Sequence, residues 1–252
     1  MTGAIRFCRY ACPPNLLGYC GPDDPGTLLE QGAAGVVDPD LRALVRGFEG
    51  AWPYLELIAA ANRIRDPLDA RVVEAYWVGN PLLDAVDEPT LGRFIEKRFR
   101  PLMGRRWTAL RDRSLLGVVP HHNFHVFVVY PWVGMLRLGR TLEPLRVLDR
   151  CRIRWGTIEQ VKGERVLVSS RPLLYDGAFL HLGEPQLEEF LASIDGLGFT
   201  ENLRAGDRVS LHWDWLCERL SVREVSALDR QTASALATAN GVLRGTSHSL
   251  LG

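Results

Sequence analysis

Three groups of residues in this sequence could hold a metal ion. Cys8, Cys12 and Cys20 form a Cys-x3-Cys-x7-Cys run that also contains Pro13 and Pro14, with Pro22 just beyond it. Thiols this close suggest a metal-binding loop, although the spacing lacks the tight Cys-x2-Cys knuckle of zinc and iron–sulfur sites. The prolines would hold such a loop extended and turned. His121, His122 and His125 bring half of the six histidines into five residues. On a helix, His121 and His125 lie one turn apart on one face with His122 beside His125, the arrangement by which two imidazoles grip one metal. On a strand the outer pair would stand ~13 Å apart, too far to chelate. Tyr130, Pro131 and Trp132 follow and would supply an aromatic wall. The third group is Cys151 with His212, a soft thiolate and an imidazole that together can hold iron loosely enough to pass it on.

Each group also has a purely structural reading. Cys151 suits a buried place at the start of a strand, because free cysteine is among the most buried residue types. His212 suits a satisfied strand histidine. The N-terminal run suits an extended arm packed on a helical bundle, with the histidines capping a buried helix. Cys217, beside Trp215 and Leu216, reads as core.

The elements that must position these groups differ between the two halves. Residues 24 to about 145 read as helices. Leu41, Leu44, Val45 and Phe48 follow helical spacing behind Asp38-Pro39, and Asp66-Pro67 separates two further apolar helical faces. Thr90 to Arg100 continues the pattern, as do Trp107, Leu110, Leu115 and Leu116. Residues 118–138 have strand propensity at Val126–Tyr130 but are expected to be helical like their surroundings. From 151 to 215 the period becomes two. Gln160–Glu164 and Tyr175–Ala178 read as turns, Gln186 to Ile194 as a short inserted helix, and Val209, Leu211 and Trp213 as a final strand. Residues 221–240 read as a terminal helix. The expected fold is α+β: a helical domain with a Cys-rich N-terminal arm over residues 1–148, then a small β-barrel with a C-terminal helix over residues 149–252.

Cys151, Gly156 and Ile158, followed by Gly206, Asp207, Val209 and His212 ahead of a leucine-containing helix, carry a likeness to a known family. In order and content they resemble the leading cysteine run and the Gly-Asp-x-Val-x-x-His strand of the HypC/HupF family of small NiFe-hydrogenase maturation chaperones. Trp155 stands where the family has proline, and Cys151 is internal where the family's cysteine is N-terminal. The resemblance implies that Cys151 and His212 contact iron, carried as the Fe(CN)2CO group. It implies as partners a HypD-like maturation protein and the hydrogenase large-subunit precursor. The whole chain also resembles an actinobacterial family found with NiFe-hydrogenase genes.

Composition narrows the classes further. Thirty basic and thirty acidic residues cancel, which argues against a polyanion partner. The basic stretch Arg93, Lys97, Arg98, Arg100, Arg105, Arg106, Arg111 and Arg113 has helical apolar spacing between its charges, so it reads as a solvated face or an acidic-protein contact rather than a nucleic-acid stripe. No P-loop, dinucleotide fingerprint or Gly-x-Ser-x-Gly elbow occurs. No apolar run approaches the ~20 residues that span a bilayer, and no signal-peptide core is present, so a cytoplasmic protein with reduced cysteines is expected. The expected function is an accessory chaperone of NiFe-hydrogenase maturation, a binding protein rather than an enzyme. The alternative is a metal- or haem-dependent redox enzyme built on Cys8, Cys12, Cys20, His121, His122 and His125.

Overall fold

Two of the three N-terminal cysteines, Cys8 and Cys12, are helical rather than in an extended loop, and Cys20 lies in the segment beyond the helix: α1 spans Gly3–Leu16 and includes Pro13 and Pro14. The structure, a computed structural model, describes residues 1–38, 40–103 and 118–244. Thr2 caps α1 by accepting from the Ile5 N–H, and Ile5, Phe7, Cys8, Tyr10, Ala11 and Cys12 are all buried along it. Burial on nearly every side outweighs the local cost of two prolines, because tertiary packing rather than propensity decides most helices.

Five more helices follow, as the apolar spacing predicts: α2 (Pro25–Ala34), α3 (Leu41–Arg46), α4 (Trp52–Ala61), α5 (Ala70–Trp77) and α6 (Glu88–Met103). The expected apolar face Trp107, Leu110, Leu115 and Leu116, and the basic residues Arg105, Arg106, Arg111 and Arg113, lie outside the described residues. Residues 122–137 are largely helical as expected: α7 (His122–Phe124) passes directly into a π-helical turn (His125–Val129), and α8 (Trp132–Arg137) follows. Helix α9 (Leu142–Cys151) leads into the sheet.

The sheet comprises β1 (Arg154–Lys162), β2 (Arg165–Ser170), β5 (Gln186–Leu191), β8 (Arg208–His212) and β9 (Trp215–Arg219). Two short ribbons, β3 (Leu173–Tyr175) with β4 (Leu180–Leu182) and β6 (Ser193–Ile194) with β7 (Leu197–Gly198), are inserted between these strands. Neighbours pair in the order β1-β2-β5-β9-β8, and β8 pairs back onto β1; all pairs are antiparallel except β5–β9. The helix expected at Gln186 to Ile194 is therefore strand β5. Its Leu187, Phe190 and Leu191 mimic helical spacing, but all six residues pair with β2, Phe190 enters the sheet interior, and Glu188 meets the buried guanidinium of Arg154. Register with neighbouring strands overrides local preference here. At Gly156 the strands come so close that a Cβ would lie 2.5 Å from the Ser169 carbonyl oxygen.

Two cores result. Ile158, Val166, Val168, Phe190, Val209, Leu211 and Leu216 fill the sheet interior. The larger core joins the helices to the outer side of β9, through Trp215 and Cys217, and to the last helix, α10 (Val222–Arg244). The domain boundary expected at 148/149 falls inside α9, and the larger core continues across it. Among the described residues no helix is long and apolar enough to cross a membrane.

A buried ionic cluster fixes α1 to the sheet. The Arg6 guanidinium donates to Glu218 on β9 at 3.0 Å, Glu74 on α5 at 2.9 Å and Glu224 on α10 at 2.8 Å. The Tyr10 hydroxyl donates to Glu218 at 2.7 Å and lies 2.8 Å from Ser210 Oγ on β8. Removing one member of a buried charge cluster strands the others, at a cost of about 3–5 kcal/mol. Arg6→Ala is accordingly expected to lower the unfolding free energy by about that amount in urea titration; a loss near 1 kcal/mol or less would show that the cluster does not hold α1 in place.

Candidate metal centre

His122, Cys151 and His212 bring one ligand atom each to within 4.8 Å of one another. Three local features cause this meeting. Cys151 ends α9 and His212 ends β8, and the pairing of Arg154 with Leu211 sets those two ends side by side. The turn after His212 is tied to α9 by the Trp213 N–H donating to the Arg150 carbonyl at 2.7 Å. His122 is delivered by its neighbour Asn123, whose Oδ1 accepts from the Ile153 N–H at 2.7 Å and whose Nδ2 donates to Thr232 on α10 at 2.9 Å. All three side chains are buried or half-buried.

Hydrogen bonds assign the ring protons. His212 Nδ1 lies 2.6 Å from the Tyr10 carbonyl oxygen, which can only accept, so Nδ1 carries the proton and Nε2 presents a lone pair. That Nε2 is buried and has no hydrogen-bond partner among the described residues. His122 is the opposite case. Its Nε2 lies 2.8 Å from the Cys151 carbonyl oxygen and 4.0 Å from Cys151 Sγ, while its Nδ1 lies 3.2 Å from the Tyr76 hydroxyl. Nε2 therefore holds the proton and Tyr76 donates to Nδ1. The Tyr76 hydroxyl has a second acceptor, the Gly50 carbonyl at 3.3 Å. The Cys151 carbonyl only accepts, so a metal would reach Nε2 only after the ring turns from that carbonyl and its proton moves to Nδ1; the Tyr76 hydroxyl, donating to Gly50, could then accept from Nδ1.

The three residues line a cavity of about 140 Å³. Its other walls are Pro14 of α1, Tyr19 and Cys20 of the following segment, Phe48, Gly50 and Ala51, Tyr76 and Trp77, His125, Tyr130, Trp132, Val147 and Trp213; among the described residues no carboxylate, lysine or arginine lines it. The aromatic wall expected from Tyr130 and Trp132 is in place. His125 projects from the π-helical turn, a backbone feature frequent at functional sites. Its Nδ1 lies 3.0 Å from the Tyr54 hydroxyl, and its buried Nε2 has no partner among the described residues. Trp213 adopts φ +54°, a conformation that costs a bulky residue ~1–3 kcal/mol, and is held there by stacking on Tyr19 at 4.1 Å.

Burial sets the protonation states. It lowers His212 to about 4 and His125 to about 3, and it holds His122 well below its ordinary value with help from neighbouring His212. It also pushes the Cys151 thiol far up, with nearby Cys20 adding to the rise and the Trp213 side chain opposing it. The site is thus two neutral imidazoles and a protonated thiol. Binding a metal cation here expels the thiol proton, since the thiolate is the ligand. Two imidazoles and one thiolate would leave one position of a tetrahedral metal open to a further ligand.

The other sequence candidates are dispersed. Cys20 lines the cavity, and burial raises its thiol to about 12. Cys8 and Cys12 are fully buried in α1 away from the cavity lining, with Cys8 packed toward Gly32 of α2. His121 caps α7, accepting the Asn123 N–H at Nδ1, and does not line the cavity. The five cysteines are all free. Helical spacing alone pairs His121 with His125; the structure sets His122 and His125 on the cavity instead. Tyr54 and Tyr76 stand at apolar helical positions in the sequence. Their polar atoms were the available signal, because a buried tyrosine hydroxyl needs a partner.

Residues 1–246 match DUF6390, a family of unknown function, and the chain belongs to that family. No curated protein and no solved structure matches it.

Two outcomes are expected. In the unfolded chain, histidines take up protons near pH 6.5, whereas the folded His121 and His125 resist to about 3 and His212 to about 4. Stability is therefore full above pH 6.5 and falls as pH drops toward 4, by roughly 1 kcal/mol per pH unit for each such histidine; an unchanged melting temperature between pH 7 and 5 would contradict this. Tyr76→Phe removes the hydroxyl that holds Nδ1 of His122, and that would accept from it once a metal takes Nε2, so it should weaken cobalt(II) binding about 10- to 100-fold, read from the thiolate-to-metal absorption band. Affinity equal to wild type would remove Tyr76 from the site's support.

Proposed function

We propose that this protein is an accessory factor of NiFe-hydrogenase maturation that holds iron, carried as the Fe(CN)2CO group, at His122, Cys151 and His212. One observation carries the reading: Cys151 and His212, the residues that the HypC/HupF resemblance singles out, lie together with a third ligand in a shielded cavity. The closed pairing order of the five strands supports a small-barrel likeness in the same region. A thiolate suits soft, low-spin iron, and two imidazoles leave room on the metal for small ligands of its own. In the resembled family the cysteine stands at the N-terminus; here His122, from the helical half, supplies a further donor. The aromatic walls shield a reactive iron group from water until a partner opens the site. The large-subunit precursor and a HypD-like protein are the partners this reading names.

The second reading, a redox enzyme, draws on Cys20 and His125, which line the same cavity. Cys8, Cys12 and His121 do not contribute to it. A cavity of about 140 Å³ is also small for a haem, since pockets for drug-sized ligands run to ~300–1,000 Å³.

Infrared spectra and iron analysis of protein purified anaerobically from its host test the proposal. Bound iron with cyanide and carbonyl stretches, both lost in Cys151→Ala and His212→Ala variants that still fold, is the expected result. Iron without those bands would favour the redox reading, and normal hydrogenase activity in a strain carrying Cys151→Ala would sink the maturation role.

A further inference from the structure

We infer that Pro14 is a positioning residue for the metal centre: by lacking a backbone N–H it leaves the Tyr10 carbonyl open to His212 and so fixes which ring nitrogen faces the cavity. In an α-helix the N–H of residue 14 would bond the carbonyl of residue 10. Proline has no N–H to give. Pro14 lies inside α1, so the Tyr10 carbonyl loses its helical donor. His212 replaces that donor, with Nδ1 2.6 Å from the Tyr10 oxygen.

The consequences follow from hydrogen-bond chemistry. A carbonyl accepts only, so Nδ1 must be protonated and Nε2 must be the bare nitrogen. Which nitrogen of a histidine can bind a metal is set by the bond that the other one makes. The bond is also rigid at its far end. The Tyr10 ring stacks on Trp77 at 5.3 Å, and its hydroxyl is held by Glu218 and Ser210. Meanwhile Nε2 of His212 is buried with no well-formed hydrogen bond among the described residues, its ring facing the Cys151 backbone. A ring that only served packing would gain by turning that nitrogen to a donor. The arrangement makes sense as a ligand preset in the right tautomer. Pro14 itself forms part of the cavity wall.

Pro13 supplies the control. It lies in the same helix, but its missing N–H frees the Arg9 carbonyl, not that of Tyr10. A proline-to-alanine change there alters helix propensity alike while leaving the His212 acceptor untouched.

This inference rests on the metal-site reading for its purpose, but its test does not need a metal. Nitrogen-15 NMR of histidine-labelled, chelator-treated protein at pH 7 reads the tautomer directly. Wild type and Pro13→Ala are expected to show His212 protonated at Nδ1. Pro14→Ala, whose new N–H competes for the Tyr10 carbonyl, is expected to show a mixture of tautomers and about ten-fold weaker cobalt(II) binding. An unchanged His212 tautomer in Pro14→Ala overturns the inference, as does the same shift in Pro13→Ala. If wild type binds no cobalt at all, the reading of the previous subsection fails, and the tautomer contrast still decides this one.

Discussion

The cavity exists because α1 lies against strands β8 and β9, and Tyr10 grips them from both of its ends. Its hydroxyl joins Glu218 and Ser210, and its carbonyl accepts a hydrogen bond from the Nδ1–H of His212. Arg6, one turn earlier, satisfies the same Glu218 and adds α5 and α10 through Glu74 and Glu224. A buried cluster of this kind is seldom the cheapest way to gain stability. It ties four elements to one guanidinium, since Arg6 of α1 meets carboxylates on α5, β9 and α10. Here that geometry sets the helix, the strand and the histidine to within hydrogen-bonding tolerance of one another.

Electrostatics explains why the site can wait for a metal. Burial keeps its imidazoles neutral and its thiol protonated, so no charge is stranded in an aromatic cavity. An arriving cation supplies the charge that makes the thiolate worthwhile. The two histidines play different parts. His212 has one fixed tautomer, set by a carbonyl that cannot donate. His122 rests with Nε2 protonated toward the Cys151 carbonyl, and a metal would have to shift that proton to Nδ1, where the Tyr76 hydroxyl could accept its hydrogen bond. The centre is preset at His212 and must rearrange at His122.

Much of this was legible in the sequence. The helical first half, the change to a two-residue period after Cys151 and the terminal helix follow from spacing and residue type, while the pairing of Cys151 with His212 came from the family resemblance. Two misreadings have physical causes. Pro13 and Pro14 argued for an extended loop, but burial around α1 outweighed them, and His212 occupies the Tyr10 carbonyl to which Pro14 has no N–H to donate. Gln186–Leu191 has helical apolar spacing, yet register with β2 and the charge of Arg154 made it a strand. The third ligand was ambiguous, because His121, His122 and His125 are equivalent by type. Only the π-helical turn and the Asn123 clamp decide that His122 reaches Cys151 while His121 turns away as a cap.

The most direct test of the account is X-ray absorption spectroscopy at the iron edge of iron-loaded protein. The account requires a first shell with one sulfur and two imidazole nitrogens, with the sulfur lost in Cys151→Ala and one imidazole lost in His122→Ala. A shell without sulfur, or one unchanged in both variants, would contradict it.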